Sequence, residues 1–213
     1  MTSPVSFELV GARAEAHAAV PTLMLRLRIT AADDAPVHAI ALRSQIMIEP
    51  QRRRYDHDEE RRLTELFGET PRWGDTLRPF LWTNVATTVS GFTTSTEIDL
   101  PITCTYDFEI AAAKYMHSLD NGEIPIVVMF SGTVFARGSA GFSAAPVSWS
   151  EEASYRLPLA QWRAMMDMYF PNTGWLRLRR ETLDSLQRYK VDHALLNWDE
   201  TFERLLKEAG EDV

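Results

Sequence analysis

The sequence predicts an α+β fold: an N-terminal antiparallel, immunoglobulin-like β-sandwich over residues 1–157, followed by a C-terminal helical subdomain over residues 158–213. Three observations carry this expectation. From residue 5 to about 157, apolar residues recur with period two between turn residues, as in half-buried antiparallel strands. About seven such segments can be counted, the number an immunoglobulin-like sandwich needs. Beyond residue 157 the apolar period becomes that of a helix.

Taken in order, the first strand is expected near 5–14. The second is the clearest: in PTLMLRLRIT, Leu23, Leu25, Leu27 and Ile29 share one face, while Met24, Arg26, Arg28 and Thr30 share the other. One face packs and the other is wetted. The turn AADDAP leads into VHAIALRSQIMIEP, where His38, Ile40, Leu42, Ser44, Ile46 and Ile48 alternate with smaller or polar residues to give a hairpin partner. The insertion RRRYDHDEERRLTELFGETPRWGDTLRPF follows. Asp56 and Glu59 have capping-box spacing, Leu63, Leu66 and Phe67 form an apolar stripe, and Gly68 is a suitable stop, so a short helix is predicted near 57–67. Further strands are expected near 81–90, 95–110, 124–137 and 145–157.

In the helical part, Leu159, Trp162, Met165, Met166 and Tyr169 form one stripe, ended by the turn from Pro171 to Gly174. Leu183, Leu186 and Tyr189 mark a second helix. A third begins at Asn197, which has cap spacing to Glu200, turns Trp198, Phe202, Leu205 and Leu206 inward, and ends near Gly210. No repeat or low-complexity linker separates these helices from the strands, so they are expected to pack on the sandwich.

Composition narrows the function classes. A hydrophobic content of 45% with 24% charged residues is that of a folded globular chain. The net charge of −8 opposes general attraction to nucleic acid or anionic membrane. The longest apolar run, IPIVVMF, is far short of a membrane span, and the start MTSPVSFELV lacks a basic end and an apolar signal core, so a cytoplasmic location is expected. Cys104 is the single cysteine, which excludes an internal disulfide and a cysteine-rich zinc site. Its setting, ITCTY, is that of a buried structural thiol.

The candidate sites are weighed against plainer readings. His17, His38, His57, His117 and His193 form no HxH, HxxxH or HExxH spacing, and no metal or other cofactor is expected. His57 in DHDEE reads as part of an acidic first helical turn. Ser131 in FSGTVF, with Asp107 and His117 near it in sequence, lacks a GxSxG turn and reads as a strand residue. GSAG at 138–141 lacks phosphate-cradle spacing and reads as a loop. Arg52, Arg53, Arg54, Arg61 and Arg62 are interleaved with Asp56, Asp58, Glu59 and Glu60. This predicts a solvated, self-neutralising surface with an Asp58–Arg62 pair.

The last candidate is MYFPNTGWLRLRRETLDSLQRYK. Alternation in WLRLRR is expected to bury Leu176 and Leu178 and to turn Arg177 and Arg179 outward. With Trp175, Arg180 and Arg188 these form a candidate partner-binding patch of the residue types enriched at protein interfaces. No catalytic residue is assigned. The leading expectation is a non-enzymatic accessory or interaction protein with a protein partner, and homo-oligomers remain open. The alternative is a hydrolase or small-ligand enzyme with a pocket between sandwich and helices. A weaker alternative is an anion or nucleic-acid binder using Arg177, Arg179, Arg180, Arg188 and Lys190.

TYDFEIAAAKYMHSL, FSGTVF and MYFPNTGWLRLRRETLDSLQRYK together resemble, along essentially the whole chain, a bacterial family of unassigned function. That family occurs mainly in actinobacteria, in gene clusters of high-affinity uptake nickel-iron hydrogenases. The resemblance implies a setting, the assembly or support of an oxidoreductase, with a hydrogenase subunit or accessory protein as partner. It defines no functional residue.

Overall fold

A computed structural model of the chain describes residues 3–32, 36–105, 107, 110–138, 141–171, 173 and 176–211. The fold is α+β, with antiparallel sheets and six helices among the described residues. The chain divides into two compact units, Met1–Trp175 and Leu176–Val213. No helix among the described residues is long and apolar enough to cross a membrane.

The first unit holds eight described strands: β1 (Val5–Ala14), β2 (Thr22–Ala31), β3 (Val37–Ile48), β4 (Phe80–Phe92), β5 (Ser95–Thr103), β6 (Glu123–Gly138), β7 (Gly141–Pro146) and β8 (Glu152–Pro158). One sheet has the order β1-β2-β5 and the other β4-β3-β6-β7, with β8 pairing β6 along the stretch that β7 leaves open. The alternation read from PTLMLRLRIT has its expected outcome. Leu23, Leu25, Leu27 and Ile29 are buried, and the arginines of the other face form cross-strand ion pairs, Arg26 with Asp99 at 2.8 Å and Arg28 with Glu97 at 3.0 Å. Ile40, Leu42, Ile46 and Ile48 of β3 and Ile126, Val128 and Phe130 of β6 join them in one core, where Phe7 stacks on Phe130 at 4.2 Å.

Two expectations along this unit are corrected. The strand expected over 95–110 ends at Thr103, and Ala111–His117 form a helix, α3, whose Ala112, Tyr115 and Met116 enter the core. The segment expected as one strand over 145–157 is divided between the end of β7 and β8. Helix α4 (Leu159–Tyr169) buries Leu159, Trp162, Met165 and Met166, as its stripe predicts, and lies within the first unit.

The insertion folds as helix α1 (His57–Phe67), with a complete capping box between Asp56 and Glu59, and a short helix α2 (Trp73–Thr76). Arg52, Arg54 and Arg61 lie on the solvated surface expected of them, Arg61 pairing with Asp58 at 3.5 Å, but Arg53 and Arg62 depart from that reading. Arg53 is half-buried as a residue but its side chain is only 9% exposed, and it donates to the carboxylate of Glu59 at 2.5 Å and to the carbonyls of Asn121 and Glu123 at 2.7 and 3.1 Å. Arg62 does not pair with Asp58. It reaches Asp120 at 2.6 Å and the Ser118 carbonyl at 2.9 Å. The loop from α3 to β6 presents outward carbonyls with no ladder partner, and guanidiniums supply their donors better than water does in a half-buried site.

The second unit is a helical hairpin of α5 (Arg180–Asp192) and α6 (Trp198–Glu208), turning at Ala194, whose φ is +52°. Asn197 caps α6 by accepting the Glu200 N–H at 2.8 Å. Tyr189 Oη donates to Glu208 at 3.0 Å, and Lys190 Nζ donates to the Leu196 carbonyl at 3.1 Å while standing 5.9 Å from the centre of the Trp198 ring.

Candidate interaction surface

The residues assigned to a partner patch fall at the start of the second unit. Arg177 and Arg179 lie in an extended segment, Arg180 opens α5, and Arg188 lies two turns further on. All four are exposed, and none of them is in a salt bridge among the described residues; Arg188 donates to Ser185 Oγ at 3.0 Å. Thus the plain reading, in which these arginines are neutralised by neighbouring acids, lacks its ion pairs. Trp175, the aromatic member of the patch, lies outside the described residues.

The expected burial of Leu176 and Leu178 is corrected. Leu176 is 64% exposed and Leu178 half-buried. Alternation makes two faces only where a neighbouring strand fixes the pleat, and residues 176–179 belong to no strand. The inward placement of Trp198 and Leu206 is corrected likewise: both are exposed, while Phe202 and Leu205 are half-buried. Within the unit, each helix is covered by the other over a strip narrower than its apolar face. Among the described residues of this unit only Thr201 is buried, whereas Leu183, Val191 and Leu196 are open, Leu196 at 83%.

The other candidates are placed as follows. Cys104 is buried, its Sγ 3.7 Å from the Ile102 carbonyl, and burial pushes its thiol up to about 12. At neutral pH it stays protonated and a poor nucleophile. Cys104→Ala is therefore expected to cost about 1 kcal/mol of stability, read from a urea unfolding midpoint, with partner binding unchanged. A cavity of about 130 Å³ beside it is lined by Trp82, Ile110, Met116 and Trp162 among others. Ser131 is a ladder residue of β6 opposite Arg43, and the His117 ring stands edge-on to Trp162 at 4.8 Å.

One group among the described residues has the composition of a cation site: Asp56, Glu59 and Asp120. Its oxygens are already engaged. Glu59 accepts from Arg53 and from the N–H groups of Asp120 and Asp56 at 2.8 and 3.4 Å, and Asp120 pairs with Arg62. Guanidinium groups neutralise two of the three carboxylates, Arg53 that of Glu59 and Arg62 that of Asp120. Sequence reading missed this network because three consecutive arginines carry no period to mark the middle one as buried.

No curated protein matches the chain. Among solved structures, it is similar to the sporulation control protein Spo0M from Bacillus subtilis, with 10% identity over 74% of this chain and 49% of that one and a TM-score of 0.30. It is also similar to a beta-glucosidase from Kluyveromyces marxianus, with 5% identity over 72% and 15% and a TM-score of 0.28. For beta-glucosidase 3B from Thermotoga neapolitana the values are 12%, 72%, 17% and 0.26. The chain spans less than half the length of each, and likenesses this slight carry no argument. A family model described as "Family of unknown function (DUF6084)" matches residues 2–213.

Proposed function

The chain belongs to that family of unknown function, and from this premise we propose that it is a non-enzymatic accessory protein whose second unit docks a protein partner. The observation that carries the reading is the hairpin itself: among the described residues, a unit of two helices with one buried residue, open Leu183, Val191 and Leu196, and four arginines in no salt bridge. Open apolar side chains beside exposed guanidiniums that no carboxylate neutralises are the composition of an interface core and its anchors. A reading without catalysis is supported by the buried, protonated Cys104 and by the place of Ser131 in a ladder.

The partner we propose is a subunit or assembly protein of an uptake nickel-iron hydrogenase, in the cytoplasm of an actinobacterium. This setting rests on the sequence resemblance alone. We also read the first unit as an immunoglobulin-like sandwich. What supports it is the strand order: β1-β2-β5 corresponds to strands A-B-E of that fold, and β4-β3-β6-β7 to C′-C-F-G.

Arg177→Ser with Arg179→Ser tests the docking reading. Exposed charges contribute only about 0 to 1 kcal/mol, so the melting temperature should hardly move. Affinity purification from native cells with mass spectrometry should recover hydrogenase components with the wild-type protein and lose most of them with the double variant. Equal recovery by both, or a wild-type protein that retains no hydrogenase component, overturns the proposal.

A further inference from the structure

We infer that the free edge of β4 is a self-association surface, on which a second copy of the chain adds its own β4 antiparallel across a two-fold axis. Among the described residues, β4 pairs with β3 alone, so one side of a 13-residue strand is left with unpaired backbone groups. Such an edge is a template for another strand, and monomeric proteins blunt it with charges, proline, bulges or shortness.

The other edges of both sheets are blunted in these ways. Strand β1 has a register shift between Leu9 and Gly11 and carries Glu8 and Arg13. Strand β5 carries Glu97, Asp99 and Pro101, β7 has six residues and ends in Pro146, and β8 carries Glu152, Arg156 and Pro158. In β4 the only irregularity is the extra residue Trp82 near its start. Between Arg78 and Glu97 the sequence has no charged residue, and β4 has no proline.

A second copy is the occupant this pattern favours. The chain carries −8, so two copies repel over most of their surfaces, and β4 is a strip on which they meet without charge. A two-fold axis places the strand against itself, where Thr83, Val85, Thr87, Thr88 and Val89 supply β-branched cross-strand pairs. The outward residues Asn84, Ala86, Thr88 and Ser90 are exposed and short, so over the middle of the strand no long side chain stands beside the junction. Strand pairing alone buries less than a typical stable interface, so the association is expected to be reversible and concentration-dependent.

Ala86→Lys with Thr88→Lys places like charges across the proposed junction at two exposed positions. Light scattering should give the wild-type protein a mass rising with concentration from the 24.2 kDa of one chain toward twice that value. The variant should show an unchanged circular dichroism spectrum and a dissociation constant raised roughly tenfold or more. In the wild-type protein, amide exchange within 83–92 should slow as concentration rises, a readout that needs no variant. A wild-type mass fixed at one chain, a variant that associates equally well, or association that leaves exchange in β4 unchanged would each overturn the inference.

Discussion

Arg53→Ala should lower the stability of the first unit by about 3 to 5 kcal/mol, the loss found when one partner of a buried ion pair is removed. The Glu59 side chain is 3% exposed, and without the guanidinium its charge would face only the Asp56 and Asp120 amides. The Asn121 and Glu123 carbonyls would lose a donor at the same time. In thermal unfolding the midpoint should fall by roughly 10 °C. Arg53→Lys should recover only part of this, because an ammonium cannot present one edge to a carboxylate and another to two carbonyls. A loss below about 1 kcal/mol would mean that water replaces the guanidinium at little cost.

Gly132→Ala should be nearly as damaging, for a steric reason. Gly132 lies within β6 opposite Leu42 with φ +148°, and a Cβ there would stand 2.1 Å from the Ala41 carbonyl oxygen and 3.2 Å from Leu42 Cα. Both obstacles are backbone of the adjacent strand, so no rotamer relieves the clash and the β3–β6 ladder must separate. Strain of about 1 to 3 kcal/mol at the dihedral adds to overpacking of about 1 to 3 kcal/mol. Gly74→Ala is the control: nothing lies within 4 Å of its added Cβ, and it is helical, so stability should be unchanged or slightly raised. Equal denaturation midpoints for the two variants would refute the close-approach argument.

Wherever a local signal coincided with a tertiary need, the sequence was legible. Alternation in β2 marks the buried face because one side of its sheet is the core, and Asp56 and Asn197 announce their helices by capping them. Helix α3 is preceded by Ile110, which offers no side-chain cap, and its packing residues are alanines, a tyrosine and a methionine that fit a strand as well. Its helicity is set by burial of Tyr115 and Met116, a tertiary term. The burial of Arg53 depends on carbonyls almost seventy residues away in sequence, beyond the reach of any local pattern. The period change at 157 marks the start of α4, while the compact units part between Trp175 and Leu176. Of the proposed patch, the arginines are exposed as expected, but not through alternation, because Leu176 is exposed with them, and the open apolar strip of the hairpin was not legible.

The place of β6 has a consequence for the order of events during folding. It is the central strand of its sheet, paired on one side with β3 through partners as distant as Val37 and Ala136 and on the other with β7 and β8. A chain emerging from the ribosome can make the β3–β4 hairpin early, but β3, complete at Ile48, must wait until Glu123 and the residues after it are made before β6 arrives to cover its second edge. Loop closure over such separations is slow, of order milliseconds to seconds once synthesis is complete. Until then a nascent hairpin with two open edges, one of them the uncharged β4, is exposed to other chains. Rapid production should therefore favour mispaired aggregates, and slowing synthesis should raise the soluble yield.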